Sequence, residues 1–282
     1  MILEAKLLVL GAALAVASYQ DVKTREIDDR VWVASGLVGA LLTVAEIIVS
    51  PGYPVILAVF SALLTAAIAI GVFYLGLYGG ADAKALLVAA VTLPLSPLVG
   101  GLAYGGWGQG SMFVNPFFPL TLLGNALLLS ILLVPSCLLW NLYAKLRGER
   151  LFDGVSASPL QKLAALLTAV RVKPSTAASV HFNLIERLDA ASSRPESGGA
   201  AGSTGAAAQE RWGLKIFSRI SEEDYDKEKE EQSRALSRLR RKVWATPAIP
   251  MIVFLLAGYL ASFVWGDLIF GLISLAVGIP AR

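Results

Sequence analysis

Five ionisable side chains lie inside or against long apolar runs of this 282-residue sequence: Asp21, Glu46, Asp82, Lys84 and Asp267. A charge beside hydrocarbon is costly, so each of these positions is a candidate for function. Paired carboxylates offer the most chemistry. Like charges a few ångströms apart do not both ionise readily, so such a pair shares a proton. The ionised member takes a proton from water while the protonated member polarises a carbonyl, which is enough to hydrolyse a peptide bond. Few rival nucleophile systems exist here, because the chain has one histidine, His181, and one cysteine, Cys137. That removes nearly every Ser–His–Asp and zinc arrangement and forbids an internal disulfide. Taken singly, either Asp21 or Asp82 also reads as a solvated residue at a helix end.

The elements that must position these residues are built for lipid. Hydrophobic residues make up 56% of the chain and charged residues 16%, against about 45–50% and about 25% in soluble domains. The charges are also segregated, with 18 of the 24 Lys+Arg and 13 of the 21 Asp+Glu between residues 143 and 245. A helix crosses about 30 Å of hydrocarbon with roughly 20 apolar residues. Six stretches qualify, near 1–20, 31–49, 54–78, 84–104, 117–141 and 247–277; Pro94 and Pro97 predict a kink or an early end in the fourth. The expected fold is a polytopic α-helical membrane protein of six transmembrane helices, with a small α+β cytoplasmic insert before the last helix. Residues 1–142 form the five-helix membrane domain with the aspartate pair, 143–245 the insert, and 246–282 the sixth helix and C-terminus.

Basic residues orient the spans, since cytoplasmic loops carry the excess of Lys and Arg. Ala15-Val16-Ala17 before Ser18 imitates a signal-peptidase site. However, Glu4 offsets Lys6 ahead of that helix, while Lys23, Arg25 and Arg30 follow it. The N-terminus is therefore expected outside and the first loop inside. The loop at 50–53 and the Gly-rich segment 99–116 lack basic residues, as outer loops should. The loop at 79–84 carries Lys84 and the insert carries the basic block, as inner ones should. This predicts a multi-pass plasma-membrane protein with both termini outside. Asp21 and Asp82 then share the cytoplasmic side, whereas Glu46 and Asp267 lie toward the outer ends of their spans.

Within the insert, Leu160–Val170 is apolar for too few residues to span and reads as a core or interfacial helix. Ser179–Leu184 and Leu214–Ile220 have strand composition. Ala190–Ala208, rich in Ser, Gly and Ala, reads as a flexible linker. Asp226–Trp244 reads as a charged helix leading directly into the last span, its basic end meeting the anionic leaflet. The glycines between 100 and 110 read as a flexible outer loop, because no Lys or polar helix follows them to make a phosphate cradle. His181 reads as an ordinary insert residue and Cys137 as packing.

The two aspartate neighbourhoods carry a resemblance. Gly79-Gly80-Ala81-Asp82-Ala83-Lys84 resembles the G-x-G-D motif of aspartyl membrane proteases, with Ala81 in place of the second glycine. Ser18-Tyr19-Gln20-Asp21, with Arg25-Glu26-Ile27 and Trp32 after it, resembles the other aspartate segment of the type IV prepilin peptidase family. More narrowly the likeness is to the archaeal branch that processes preflagellins and pilin-like precursors, which the Trp244–Pro250 stretch opening the last span also resembles. It covers all six spans and is weakest in the insert. The resemblance implies an aspartic endopeptidase with Asp21 and Asp82 catalytic, cutting a short basic leader from its precursor before a long apolar helix, at the cytoplasmic face. It implies peptidase activity only, since the cysteine-rich N-terminal region of bacterial members is absent. Asp28 stands where many members have proline.

Other roles follow from residue type. The small residues Gly79, Gly80 and Ala81 let a substrate strand approach Asp82. Glu26, Asp28 and Asp29 are candidates to bind the leader's basic residues, and equally to balance Lys23, Arg25 and Arg30. The expected partners are preflagellin or pilin-like precursors and membrane lipid, with no nucleic acid, metal or other cofactor. The insert is expected to brace the helices. A small transporter or channel using the aspartates as a cation or proton site is the rival reading, although such sites sit nearer the midplane. The presenilin-like proteases share G-x-G-D, but their proline-alanine-leucine motif is absent.

The orientation is open to direct test. In a Cys137→Ala background, a cysteine at Ser111 should react with an impermeant thiol reagent added outside. A cysteine at Ser203 should react only after the membrane is opened, and the reverse pattern would invert the topology.

Overall fold

A computed structural model of the chain describes residues 1–75, 79–97, 115–153, 155–177, 182–188, 212–214, 241–247 and 251–278. They divide into two units, one of residues 1–131 with 249–282 and one of residues 132–248. In the first, α1 (Ile2–Thr24), α2 (Asp29–Val49), α3 (Val55–Tyr74), α4 (Gly80–Thr92) and α5 (Phe118–Ile131) are joined by α9 (Met251–Val264) and α10 (Leu268–Ala276). Leu10, Leu14, Trp32, Leu86, Leu122 and Leu255 belong to their shared core. Leu41, Ile48, Ile56 and Leu63 stand exposed, as lipid-facing side chains do where hydrocarbon replaces water.

Small residues set how closely the helices pack. A Cβ on Gly39 of α2 would lie 1.9 Å from the Thr92 hydroxyl, and one on Gly258 of α9 would lie 2.7 Å from the Ala126 nitrogen of α5. Polar contacts lock the same helices. Lys6 of α1, 1% exposed, pairs with Glu46 of α2 at 2.7 Å. A buried pair of this kind is poor evidence of stability, but losing one partner strands the other charge in a dry place. The Ser18 hydroxyl of α1 donates to the Ile252 carbonyl of α9.

Two apolar stretches are not continuous helices. In the fourth, α4 stops at Thr92, because Pro94 disfavours the helical region for Leu93, which adopts φ −138° and ψ 66°. Its 13 residues rise only about 20 Å. The carbonyls freed at this end are taken up by neighbours: Thr43 donates to Val91 and Thr92, and Ser61 donates to Pro94. In the last stretch, α9 and α10 meet at a 58° bend. There Gly266 adopts φ +74°, and buried Asn125 of α5 donates to the Gly266 carbonyl and accepts from the Leu268 N–H. Among the described residues four helical segments are therefore long and apolar enough to cross a membrane, and five if the bent pair counts as one span. This supports a polytopic helical membrane protein without establishing six spans.

The second unit holds α6 (Leu133–Leu146), α7 (Pro159–Thr168), α8 (Pro174–Ala177) and six short strands. The strands are β1 (Val155–Ser156), β2 (Val170–Val172), β3 (Phe182–Leu184), β4 (Glu186–Leu188), β5 (Trp212–Leu214) and β6 (Val243–Pro247). They form two three-stranded sheets, ordered β1-β5-β4 and β2-β6-β3. Ser158 caps α7 in a capping box with Gln161. The expected helix at 160–170 is α7, ending at Thr168 because Val170 enters β2.

Trp244 corrects the sequence reading. The charged helix expected to run through it into the last span does not reach that far, for Val243–Pro247 is the central strand of its sheet. Val243, Trp244 and Ala245 are fully buried. Trp244 stacks on Phe152 at 5.0 Å, its backbone N–H donates to buried Glu186, and its indole N–H donates to the Leu151 carbonyl. Burial and sheet pairing override the helical propensity of the charged run before it. The Gly-rich segment from 100 to 110, His181, the linker at 190–208 and residues 215–240 lie outside the described residues.

Candidate active site

Asp21 continues the buried stripe of α1. Leu3, Lys6, Leu10, Leu14, Ala17 and Ser18 recur at helical spacing, and Asp21 is the next position on that face. It is half-buried at the last turn, where the helix ends. Asp82 lies at the third residue of α4, also half-buried, and its carboxylate accepts the Gly79 N–H at 3.2 Å. This bond satisfies one of the free amides at the helix start. The two aspartates thus come from the end of one helix and the beginning of another within the same unit.

The Asp82 carboxyl is shifted chiefly by its burial. Burial pushes the Asp82 carboxyl up to about 6 from an ordinary 3.8; the Gly79 N–H opposes the rise and the neighbouring Asp21 charge adds to it. A carboxyl that keeps its proton toward neutral pH can act as an acid, and this is how shared-proton pairs are built.

The segment between Asp21 and α2 is held tightly. Arg25 ends α1 in the left-handed region, φ 62° and ψ 14°, with its N–H donating to the Asp21 carbonyl. The Gln20 side chain accepts the Asp28 N–H at 3.1 Å, a bond that proline at this position would lack. Asp28 then caps α2 by accepting from the Arg30 N–H. Asp29, the first residue of α2, accepts from Lys84 at 2.5 Å. Both side chains of that pair are well exposed, so it guides position more than it stabilises. Along α2, Gly36 and Gly39 face Val88 and Thr92 of α4, so Asp29, Gly36 and Gly39 mark one contact stripe. Trp32 falls on this stripe, buried, with its indole N–H lacking a partner among the described residues.

The five sequence candidates therefore separate. Asp21 and Asp82 lie at helix ends within one unit, and Lys84, two residues from Asp82, is held by Asp29. Glu46 is engaged by Lys6, about 22 Å along α1 from Asp21 at 1.5 Å per residue. Asp267 caps α10 and accepts from Thr121 of α5. Of the three acids proposed to bind a leader, Asp28 and Asp29 have structural partners. Glu26 is exposed, and no ion pair occupies its carboxylate among the described residues. Among the described residues, Gly79 and Gly80 would each meet only one atom within 4 Å if given a Cβ, at 3.5 and 3.6 Å. The Asp29–Lys84 pair was invisible in the sequence, because the residues are 55 apart. No three His, Cys, Asp or Glu side chains gather into a metal-sized cluster among the described residues.

The apolar multi-helix fold defines a polytopic membrane protein with two half-buried carboxylates at helix ends. The comparisons narrow the class. A model of the type IV leader peptidase family matches residues 8–135, which contain both aspartates. A model of the archaeal peptidase A24 C-terminus, type II, matches residues 161–268, so the likeness extends through much of the insert. The chain is also 24% identical to the preflagellin peptidase of Methanococcus voltae over 271 residues, covering 92% of this chain and 94% of that protein. Two family models together thus liken residues 8–135 and 161–268, most of the chain, to peptidases of this kind.

The raised Asp82 carboxyl has a consequence for stability. Between about pH 4 and 6 the folded protein retains a proton that an unfolded chain, with an ordinary carboxyl, has released. This contribution is full below about pH 4 and is lost as the pH rises through 6. Thermal unfolding in detergent should show the midpoint of the native protein falling over that interval relative to Asp82→Asn. Parallel curves for the two proteins would contradict the assignment.

Proposed function

We propose that this protein is an aspartic endopeptidase that removes the short basic leader from preflagellin or type IV pilin-like precursors at the cytoplasmic face, with Asp21 and Asp82 as its catalytic pair. The observation that carries this reading is the placement of two half-buried carboxylates within one unit, Asp21 at the last turn of α1 and Asp82 at the third residue of α4. One carboxylate takes a proton from water as the oxygen attacks the scissile carbonyl carbon. The other gives its proton to the carbonyl oxygen, and the resulting tetrahedral species collapses with proton transfer to the leaving amine. The name of the Methanococcus voltae relative supports preflagellin as a substrate class.

The sidedness rests on charge. Lys23, Arg25, Arg30 and Lys84 cluster at the aspartate end of the helices, while the loop from Ser50 to Pro54 at the other end carries no Lys or Arg, the bias expected of a cytoplasmic and an outer face. Both termini then lie outside. In this arrangement Gly79, Gly80 and Ala81 flank the scissile strand, and Glu26, Asp28 and Asp29 form an acidic rim that attracts the leader.

Purified protein incubated with a pilin-like precursor should release a shortened product, and Asp21→Asn or Asp82→Asn should each abolish that cleavage while leaving insertion and folding intact. Unimpaired cleavage by Asp82→Asn would sink the mechanism.

The acidic rim makes a narrower forecast. Because Asp28 and Asp29 already have partners, Glu26→Gln should account for most of the rise in KM for a basic leader, with kcat changing less. An exposed ion pair at about 4 Å is worth around 1 kcal/mol, so KM should rise roughly fivefold, and less at high salt because such pairs are screened. Unchanged preference between basic and neutral leaders at low salt would show that Glu26 does not read the leader's charge.

A further inference from the structure

Within the second unit, α7 is apolar on two opposite faces. On one, Ala165 is fully buried and Leu166 packs on the cluster that holds Leu151, Val155 and Trp244. On the other, Leu160, Leu163 and Leu167 recur at helical spacing on the side away from that core. Leu160 is 76% exposed and Leu163 53%. A surface helix in water turns its polar residues outward, so this second stripe calls for an apolar neighbour.

Asn141 of α6 fixes where α7 lies. Its side-chain amide donates to the Leu166 carbonyl at 3.0 Å and to the Ala169 carbonyl at 2.7 Å, tying the end of α7 to the last turns of α6. α6 closes the apolar segment Phe118–Leu146, whose 29 residues rise about 44 Å. Hydrocarbon takes up about 30 Å of that length, and the surplus falls in the headgroup layer. The C-terminal end carries the side chains suited to that layer. Trp140 and Tyr143 are exposed, and the Arg147 guanidinium lies over the Tyr143 ring at 4.5 Å. Aromatic rings and basic residues collect at membrane surfaces. α7 is therefore bonded at a level where α6 itself turns Leu139, Trp140 and Leu142 outward.

The charge around both helices has one sign. Residues 143–177 contain six Lys or Arg and two acids, and one of those acids, Glu149, is paired with Lys242. Lys145, Arg147, Arg150 and Lys173 are exposed.

We propose that α7 docks the second unit onto an anionic bilayer surface, with Leu160, Leu163 and Leu167 at the acyl boundary and the exposed cations against the headgroups. Apolar area and attraction to anionic lipid together hold interfacial helices to membranes. A protein partner fits less well, because three leucines fall well short of the roughly 800 Å² per side that a stable protein interface buries. The inference does not depend on the peptidase reading.

The test uses the full chain in lipid vesicles, carrying Cys137→Ala and Leu163→Cys with a small fluorophore on the new thiol. In vesicles containing phosphatidylglycerol, a nitroxide high on the lipid acyl chain should quench the label more than one near the chain end, and aqueous iodide should quench it little. Vesicles of phosphatidylcholine alone should give weaker lipid quenching. Arg150→Gln or Lys173→Gln should each lower the ratio of docked to free helix roughly fivefold at low salt, and less at high salt. Leu160→Glu should abolish lipid quenching with a thermal midpoint near native, because that side chain faces away from the core. Strong iodide quenching in both kinds of vesicle would show a solvated face and overturn the proposal. A label shielded from iodide and from both nitroxides would show a protein cover, whether another segment of the chain or a second copy, and would overturn it equally. Lipid quenching of the same strength in the two compositions would overturn docking by charge.

Discussion

Hydrocarbon offers no water to a backbone carbonyl or amide, so a chain that interrupts its helices inside an apolar bundle must close every interruption with its own side chains. The first unit meets this demand at both of its breaks. Thr43 and Ser61 take up the carbonyls released where α4 ends. Asn125 bridges the bend between α9 and α10, and Asp267 caps the segment that follows. Thr43, Ser61 and Asn125 are short polar side chains reaching from adjacent helices, which requires close packing. The notch at Gly39 and the approach of Gly258 to α5 provide it.

That packing also determines where the carboxylates sit. α2 lies against α4 along a stripe from Asp29 to Thr43, and against α1 through Lys6 and Glu46. With both faces of α2 committed, the end of α1 and the start of α4 are held near one another. Asp21 and Asp82 occupy those ends. The pair can therefore be coupled without either residue being driven into the middle of the bundle, where an unpaired charge would be hardest to tolerate. Asp82 is shielded enough to keep its proton toward neutral pH, and Gly79 supplies it with an amide.

The turn between α1 and α2 draws two local bonds from one aspartate. Asp28 offers an N–H to Gln20 and a carboxylate to the start of α2. Proline would have supplied a fixed φ and neither bond. Asp28 has φ −62°, a value proline would also adopt, so the backbone path is compatible with either residue. The carboxylate of Asp28 is thereby spent on local structure, while Glu26 on the same turn remains exposed.

The sequence alone determined what depends on local composition and spacing. Long apolar runs of about the length needed to cross a bilayer, the bias of Lys and Arg between loops, and the rarity of His and Cys identified a membrane protein whose carboxylates were the available reactive groups. The helix at 159–168 was legible from its apolar run, and the end of α4 from Pro94, because both are governed by neighbours within a few residues. Tertiary structure decided the rest. Trp244 could not be read as a strand residue, since its pairing partners in β2 and β3 lie some 60–75 residues away. Glu46 and Asp29 looked like the other acids until Lys6 and Lys84, 40 and 55 residues distant, were brought to them. The left-handed backbone at Arg25 is likewise unmarked by its residue type, which gives no preference for that region. Periodicity reports which face of an element is buried; only the packing of distant elements decides which charges meet there and which are left free to act.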